Sequence, residues 1–259
     1  MTKPSRFRKA DMKKGVYLLP NLFTTASLFC GFYSIIASVK GNFFIAAIAI
    51  IIAIALDGLD GRIARITNTI SKFGAEYDSL SDLVSFGVAP TVLMYMWSLF
   101  QHGKWGWLTA FLFVVCGAMR LARFNVQSDL IDSRVFNGLP IPAAAAAVAT
   151  AVLLYHYLGG EGTFSNPVVI FSVIGLSLLM VSSVKYYSFK DLNFFARQPF
   201  MSFFLIVLIF IIVVAEPQIM MFTFAFGYGL SGPVWQLARA GKKYYEDTRQ
   251  RRTINVKKI

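Results

Sequence analysis

Eight mostly apolar stretches succeed one another along the chain, at approximately 17–39, 42–66, 73–100, 105–124, 141–158, 167–184, 200–214 and 219–237. A helix that crosses about 30 Å of hydrocarbon needs roughly 20 such residues, and only structures that satisfy their own backbone hydrogen bonds survive there. The pattern predicts an all-α membrane protein, a polytopic bundle of about eight transmembrane helices. Only 15% of the 259 residues are charged, against about a quarter in soluble domains, and the mean hydropathy is +0.60. An ordinary cytosolic enzyme is excluded. The net charge of +12 then points to an anionic membrane surface as partner and not to nucleic acid. Basic residues precede the first stretch as in a signal peptide. Its apolar run is longer than an h-region, though, and no clean cleavage site follows, so no cleavage is expected. Cys30 and Cys116 sit inside apolar stretches and read as small apolar fillers, not as a disulfide framework or a zinc cluster.

Orientation follows from Lys and Arg, which stay on the cytoplasmic side in short loops. In the eight-span reading, 23 of the 25 basic residues fall on one side, and only Lys40 and Lys104 on the other. Both termini are therefore expected in the cytoplasm. Trp97, Trp105 and Trp107 are expected at the outer interface and Trp235 near the inner one, where indole rings favour the headgroup zone. The chain divides into a basic segment 1–16, a catalytic membrane core 17–185, two further helices in 186–237 and a basic tail 238–259. Ala143 to Ala151 on the fifth span form a small-residue surface suited to close packing against a neighbouring helix or a second protomer.

Into spans two and three the sequence places Asp57, Asp60, Asp78 and Asp82, although a charge at membrane depth costs at least ~2.5 kcal/mol. Asp57 and Asp60 are three residues apart and Asp78 and Asp82 four apart, so each pair presents its carboxylates from one helix face. At about 1.5 Å per residue, both pairs lie within roughly 14 Å of the cytoplasmic helix ends and can meet at one depth. A cation is needed to hold them together, and an all-oxygen set selects hard divalent ions, Mg²⁺ or Mn²⁺. Gly58, Gly61 and Ala64 around the first pair, and Gly74 and Ala75 before the second, leave room for a flat or phosphorylated group. Arg65, two turns beyond Asp57, can fork to a phosphate.

These residues resemble a known family. Asp57-Gly-Leu-Asp60-Gly61-Arg-Ile-Ala64-Arg65, followed by Gly74-Ala-Glu-Tyr-Asp78-Ser-Leu-Ser-Asp82, matches every fixed position of the CDP-alcohol phosphotransferase signature, Asp-x2-Asp-Gly-x2-Ala-Arg then Gly-x3-Asp-x3-Asp. The resemblance implies a six-helix membrane core that binds a CDP-linked donor and a pair of divalent metal ions at the cytoplasmic side, as a homodimer. Carried over by position, Asp57, Asp60, Asp78 and Asp82 are metal ligands, with Asp82 also the general base. Asp57, Gly58, Asp60, Gly61, Ala64, Arg65, Gly74, Asp78 and, from span one, Asn21 surround the nucleotide.

The flanks Ser81 to Pro90, Arg120-Leu-Ala-Arg123-Phe-Asn125 and Gly138-Leu-Pro-Ile-Pro142 are similar to those of bacterial members whose acceptor is serine. The expected substrates are thus CDP-diacylglycerol and L-serine. Arg120, Arg123 and Asn125 are the candidate acceptor site, the arginines serving the serine carboxylate. A different alcohol, glycerol phosphate or inositol phosphate, would call for a denser basic pocket. An ion-coupled transporter would show matching polar residues in spans five to eight, which hold almost none. A membrane scaffold without activity gives no reason for four intramembrane acids. His102 and His156 have no nucleophilic partner in sight and read as ordinary polar residues.

Overall fold

A computed structural model of the chain describes residues 7–67, 71–127, 135–187 and 215–256. The described residues are helical apart from one short strand pair. Helix α1 spans Phe7–Val39, α2 Phe43–Ile66, α3 Lys72–Asp82, α4 Ala89–Trp97, α5 Gly103–Gln127, α6 Ile141–Tyr157, α7 Pro167–Val181 and α8 Pro217–Val256. Four helical segments are long and apolar enough to cross a bilayer: Pro20–Val39, Phe43–Ile66, Lys72–Trp97 and Leu99–Val126. Helices α6 and α7 are apolar but shorter. The molecule is a multi-pass membrane protein. The expected seventh span, 200–214, lies outside the described residues.

Gly41, at φ +79°, makes the tight reversal between α1 and α2 that a side chain would strain. The two helices then run against each other, and a stripe of small polar residues on α1 faces its neighbours. Ser27 donates to the Ala53 carbonyl at 3.0 Å and Ser34 to that of Ala46 at 2.9 Å, both on α2. From the other side, Ser81 and Ser85 each donate at 3.2 Å to carbonyls of α1, those of Thr24 and Ser27. A Cβ built on Gly31 would lie 2.6 Å from the Ser85 Cα, so the two backbones touch there. Small residues and interhelical hydroxyls are what associate helices in lipid, where apolar surface gives no driving force.

Between α3 and α4 the helix loosens into a π-helical turn, Leu83–Val88. Pro90 is the local cause: it has no N–H for the residue 86 carbonyl, and its ring crowds that carbonyl. The Thr91 hydroxyl donates to the Gly87 carbonyl at 2.7 Å beside this turn. The π turn follows directly on Asp82, and such insertions often accompany functional sites.

Ile50, Phe86, Leu93, Phe113, Ile141 and Val152 are fully buried at the centre of the bundle. The alanine stripe of α6 is buried through Ala144, Ala145, Ala147 and Ala149, and α6 packs on α2 and α8 of the same chain. This surface serves an intramolecular contact.

Hydropathy understates several elements. Helix α1 begins at Phe7, inside the basic segment, and α8 runs unbroken to Val256 through most of the expected tail. Val135–Asn137 pairs antiparallel with Lys185–Tyr187 in the register Phe136 opposite Tyr186, a ladder the apolar pattern does not announce. Trp97, at the end of α4, is 5% exposed and stacks on Phe164 with ring centroids 5.4 Å apart, whereas Trp105 and Trp107 on α5 are exposed.

Candidate active site

Helices α2 and α3 converge where their aspartates lie. Carboxylate oxygens of Asp57, Asp60 and Asp78 are all within 4.8 Å of one another. The fourth, Asp82, one turn beyond Asp78, sets its carboxyl against that of Asp57. The i, i+3 and i, i+4 spacings bring this about, each pair projecting from one face toward the other helix. Asp60 is 5% exposed.

A cavity of about 390 Å³ opens beside them. Asp60, Gly61, Ala64 and Arg65 line it from α2, Ser71, Gly74, Ala75 and Asp78 from the start of α3, Pro20, Asn21 and Thr24 from α1, and Phe124 from α5. Seven of the expected nucleotide residues thus share one space; Asp57 and Gly58 stand outside its lining, Gly58 exposed on the helix flank. Ser71 caps α3, its hydroxyl accepting from the Gly74 N–H at 3.0 Å. A Cβ on Gly74 would press to 3.1 Å from that hydroxyl and 3.4 Å from Asn21 Oδ1, which accounts for the glycine. Arg65 lies at the rim and donates through Nε to the Gly61 carbonyl at 3.1 Å, leaving the outer guanidinium nitrogens for a phosphate.

The residues fit a divalent cation. Three carboxylates this close repel one another without positive charge among them, and the donors are hard oxygens. Asp78 Oδ1 is buried without a hydrogen-bond partner among the described residues, an expensive state that a bound ion would relieve.

The expected acceptor residues separate. Arg120, half-buried on α5, stands within electrostatic reach of Asp82 and of Tyr228 on α8, and its Nε is buried without a partner among the described residues. Arg123 donates to the Val181 carbonyl, 3.4 Å away at the C-terminus of α7. Asn125 binds Ser79 on α3.

Two contributors escape hydropathy and motif alike. The Thr24 hydroxyl donates to Asp60 Oδ2 at 2.8 Å, and Tyr228 faces Arg120 from α8. Thr24, Ser27, Gly31, Ser34 and Ser38 recur at helical spacing in span one, a polar stripe visible in the sequence. Nothing marks Tyr228.

Several apolar helices with a carboxylate cluster and a cavity beside it define a multi-pass membrane protein with a polar site. The profile of the CDP-alcohol phosphatidyltransferase family, a family of transferases, matches residues 17–180, and the chain belongs to that family. A CDP-diacylglycerol–serine O-phosphatidyltransferase of Helicobacter pylori is 42% identical over 202 residues, covering 77% of this chain and 82% of that protein. One of Bacillus subtilis is 35% identical over 173 residues, 66% of this chain and 91% of that protein. An archaetidylserine synthase of Methanothermobacter thermautotrophicus is 38% identical over 171 residues, 65% of this chain and 69% of that protein. Tyr228 and the rest of α8 lie beyond the family profile.

Proposed function

We propose that the protein is a CDP-diacylglycerol–serine O-phosphatidyltransferase, moving a phosphatidyl group from CDP-diacylglycerol to the L-serine hydroxyl with release of CMP. The carrying observation is the convergence of Asp57, Asp60 and Asp78 beside a cavity lined by Gly61, Ala64, Arg65 and Gly74 of the same signature. The serine specificity is supported by the names of the bacterial relatives.

In this reading Gly61, Ala64 and Gly74 give the cytidine nucleotide close access to the backbone, with Asn21 beside them and Arg65 on a phosphate. Asp57, Asp60, Asp78 and Asp82 would hold a pair of divalent ions, Mg²⁺ or Mn²⁺, which when bound would supply positive charge for the diphosphate and the departing CMP. Asp82 takes the proton from the serine hydroxyl. The freed oxygen attacks the phosphorus that carries the diacylglycerol, and the bond to CMP breaks. Arg120, beside Asp82, receives the serine carboxylate by a charge-assisted hydrogen bond, with Arg123 and Asn125 flanking it on the same helix end. Direct attack predicts inversion at phosphorus; retention would require a phosphatidyl-enzyme.

The positive-inside count supports eight spans with both termini and the site in the cytoplasm, and the family resemblance supports a six-helix core at 17–185 in a cell-membrane protein. A second copy of the chain is the proposed partner, testable by cross-linking in native membranes.

The test is incubation of the purified protein with CDP-diacylglycerol, divalent metal and labelled serine, glycerol 3-phosphate or inositol phosphate. Labelled phosphatidylserine is expected. Product from another acceptor alone would overturn the serine assignment.

A further inference from the structure

Among the described residues helix α1 contributes no acidic side chain to the aspartate cluster, yet one of its hydroxyls is aimed at it. A threonine inside a helix ordinarily turns its hydroxyl back on the carbonyl four residues earlier. Thr25, Thr67, Thr91 and Thr150 do so at 2.7 Å, and Thr223 at 2.8 Å. Thr24 departs from this habit. Its distance to the Pro20 carbonyl is 3.2 Å, while Asp60 Oδ2 is only 2.8 Å away. The hydroxyl has one proton, and the shorter contact goes to the carboxylate. Thr24 is 4% exposed and Asp60 5%, so the bond sits at the inner wall of the cavity.

The same residue grips the other half of the cluster. Its backbone carbonyl accepts from Ser81 Oγ at 3.2 Å, between Asp78 and Asp82 in the sequence of α3. A single position on α1 therefore fixes Asp60 of α2 through its side chain and α3 through its backbone.

We infer that Thr24 is a positioning residue for divalent-cation binding, orienting the Asp60 carboxylate and holding the two aspartate pairs in register. The inference rests on the reading of the aspartates as a cation site. A neutral hydroxyl suits this role because it restrains a carboxylate without placing a competing positive charge beside the ion. Outer partners of this kind typically change metal affinity 10–100-fold when removed.

The experiment is Mn²⁺ binding to the purified full-length protein in detergent, read from the EPR signal of free Mn²⁺. Thr24→Val keeps the shape and removes the donor, and is expected to weaken binding about tenfold or more. Thr24→Ser restores the hydroxyl and is expected to restore binding. Thr24→Ala is a second variant without the hydroxyl, should Thr24→Val not fold. Ser34→Ala removes another buried bond between α1 and α2, remote from the aspartates, and is expected to leave binding unchanged. At saturating Mn²⁺ the turnover of Thr24→Val should recover, with the serine KM unmoved throughout. Wild-type Mn²⁺ affinity in Thr24→Val or Thr24→Ala would overturn the inference, as would equal weakening by Ser34→Ala. Asp60→Asn separates the two levels: unchanged Mn²⁺ binding there would overturn the cation site itself, whereas binding lost in Asp60→Asn and kept in Thr24→Val overturns only the role of Thr24.

Discussion

The side-chain amide of Asn125 donates to Ser79 Oγ at 3.0 Å, tying the C-terminal end of α5 to the helix that carries Asp78 and Asp82. Through this link the end of α5, with Arg120 one and a half turns earlier, is held against the aspartate site. Asn125→Ala should therefore lower kcat/KM for serine by loosening that alignment. Asn125→Ser, which keeps a hydroxyl partner for Ser79, should retain more activity; equal loss in both would count against the link.

Arg120 and Arg123 should behave differently despite lying one turn apart. The Arg120 Nε has no partner among the described residues, whereas Arg123 is engaged with the Val181 carbonyl. A hydrogen bond to a charged group contributes about 1.5–3 kcal/mol, or about 10–100-fold in affinity. Arg120→Ala should raise the serine KM by about that factor, and Arg123→Ala by less. Steady-state kinetics over a serine series decide it, and an unchanged KM in Arg120→Ala would remove the acceptor role.

Divalent metal should be indispensable. Treatment with a chelator is expected to abolish CMP release, and Mg²⁺ or Mn²⁺ to restore it, because the Asp57, Asp60 and Asp78 oxygens crowd to within 4.8 Å of one another. Full turnover in chelator would contradict the reading of the cluster.

The contact of α1 with the π turn should dominate the stability of this end of the bundle. A methyl at residue 31 would meet Ser85 Oγ at 2.5 Å and Ser85 Cα at 2.6 Å, and backbone cannot yield as a flexible side chain does. Gly31→Ala is expected to cost about 1–3 kcal/mol, seen as a lower thermal midpoint in detergent. Gly175→Ala on α7, with nothing within 4 Å of the added methyl, is the control and should leave the midpoint in place.

Sidedness is open to a labelling test. With Cys30 and Cys116 replaced, a cysteine introduced by Lys104→Cys should react with a membrane-impermeant maleimide added to intact cells. One introduced by Arg251→Cys should react only after permeabilisation. The reverse pattern would invert the topology.

Much of the architecture is legible because lipid enforces simple rules. The second to sixth apolar stretches coincide with helical segments to within a few residues, and the first matches α1 at its C-terminal end, since backbone polar groups have no other refuge in hydrocarbon. The aspartate convergence is legible because three- and four-residue spacings fix a helix face. Hydropathy, however, reports only where a helix is apolar. It therefore misses the start of α1 at Phe7 and the continuation of α8 to Val256. The strand pair Val135–Asn137 with Lys185–Tyr187 depends on partners about fifty residues apart, beyond any local pattern. Thr24 is missed for a subtler reason: a threonine in an apolar span has the same local signature whether its hydroxyl turns to its own helix or, as here, to an aspartate on another.

Serine-dependent phosphatidyl transfer by these aspartates is tested most directly by CMP release from CDP-diacylglycerol with and without serine, in the wild type and in Asp82→Asn. Release that requires serine and falls at least about 100-fold in the variant, the scale of a lost general base, is the predicted result. Serine-dependent release that persists in Asp82→Asn would contradict the proposed base, and release indifferent to serine would contradict the acceptor.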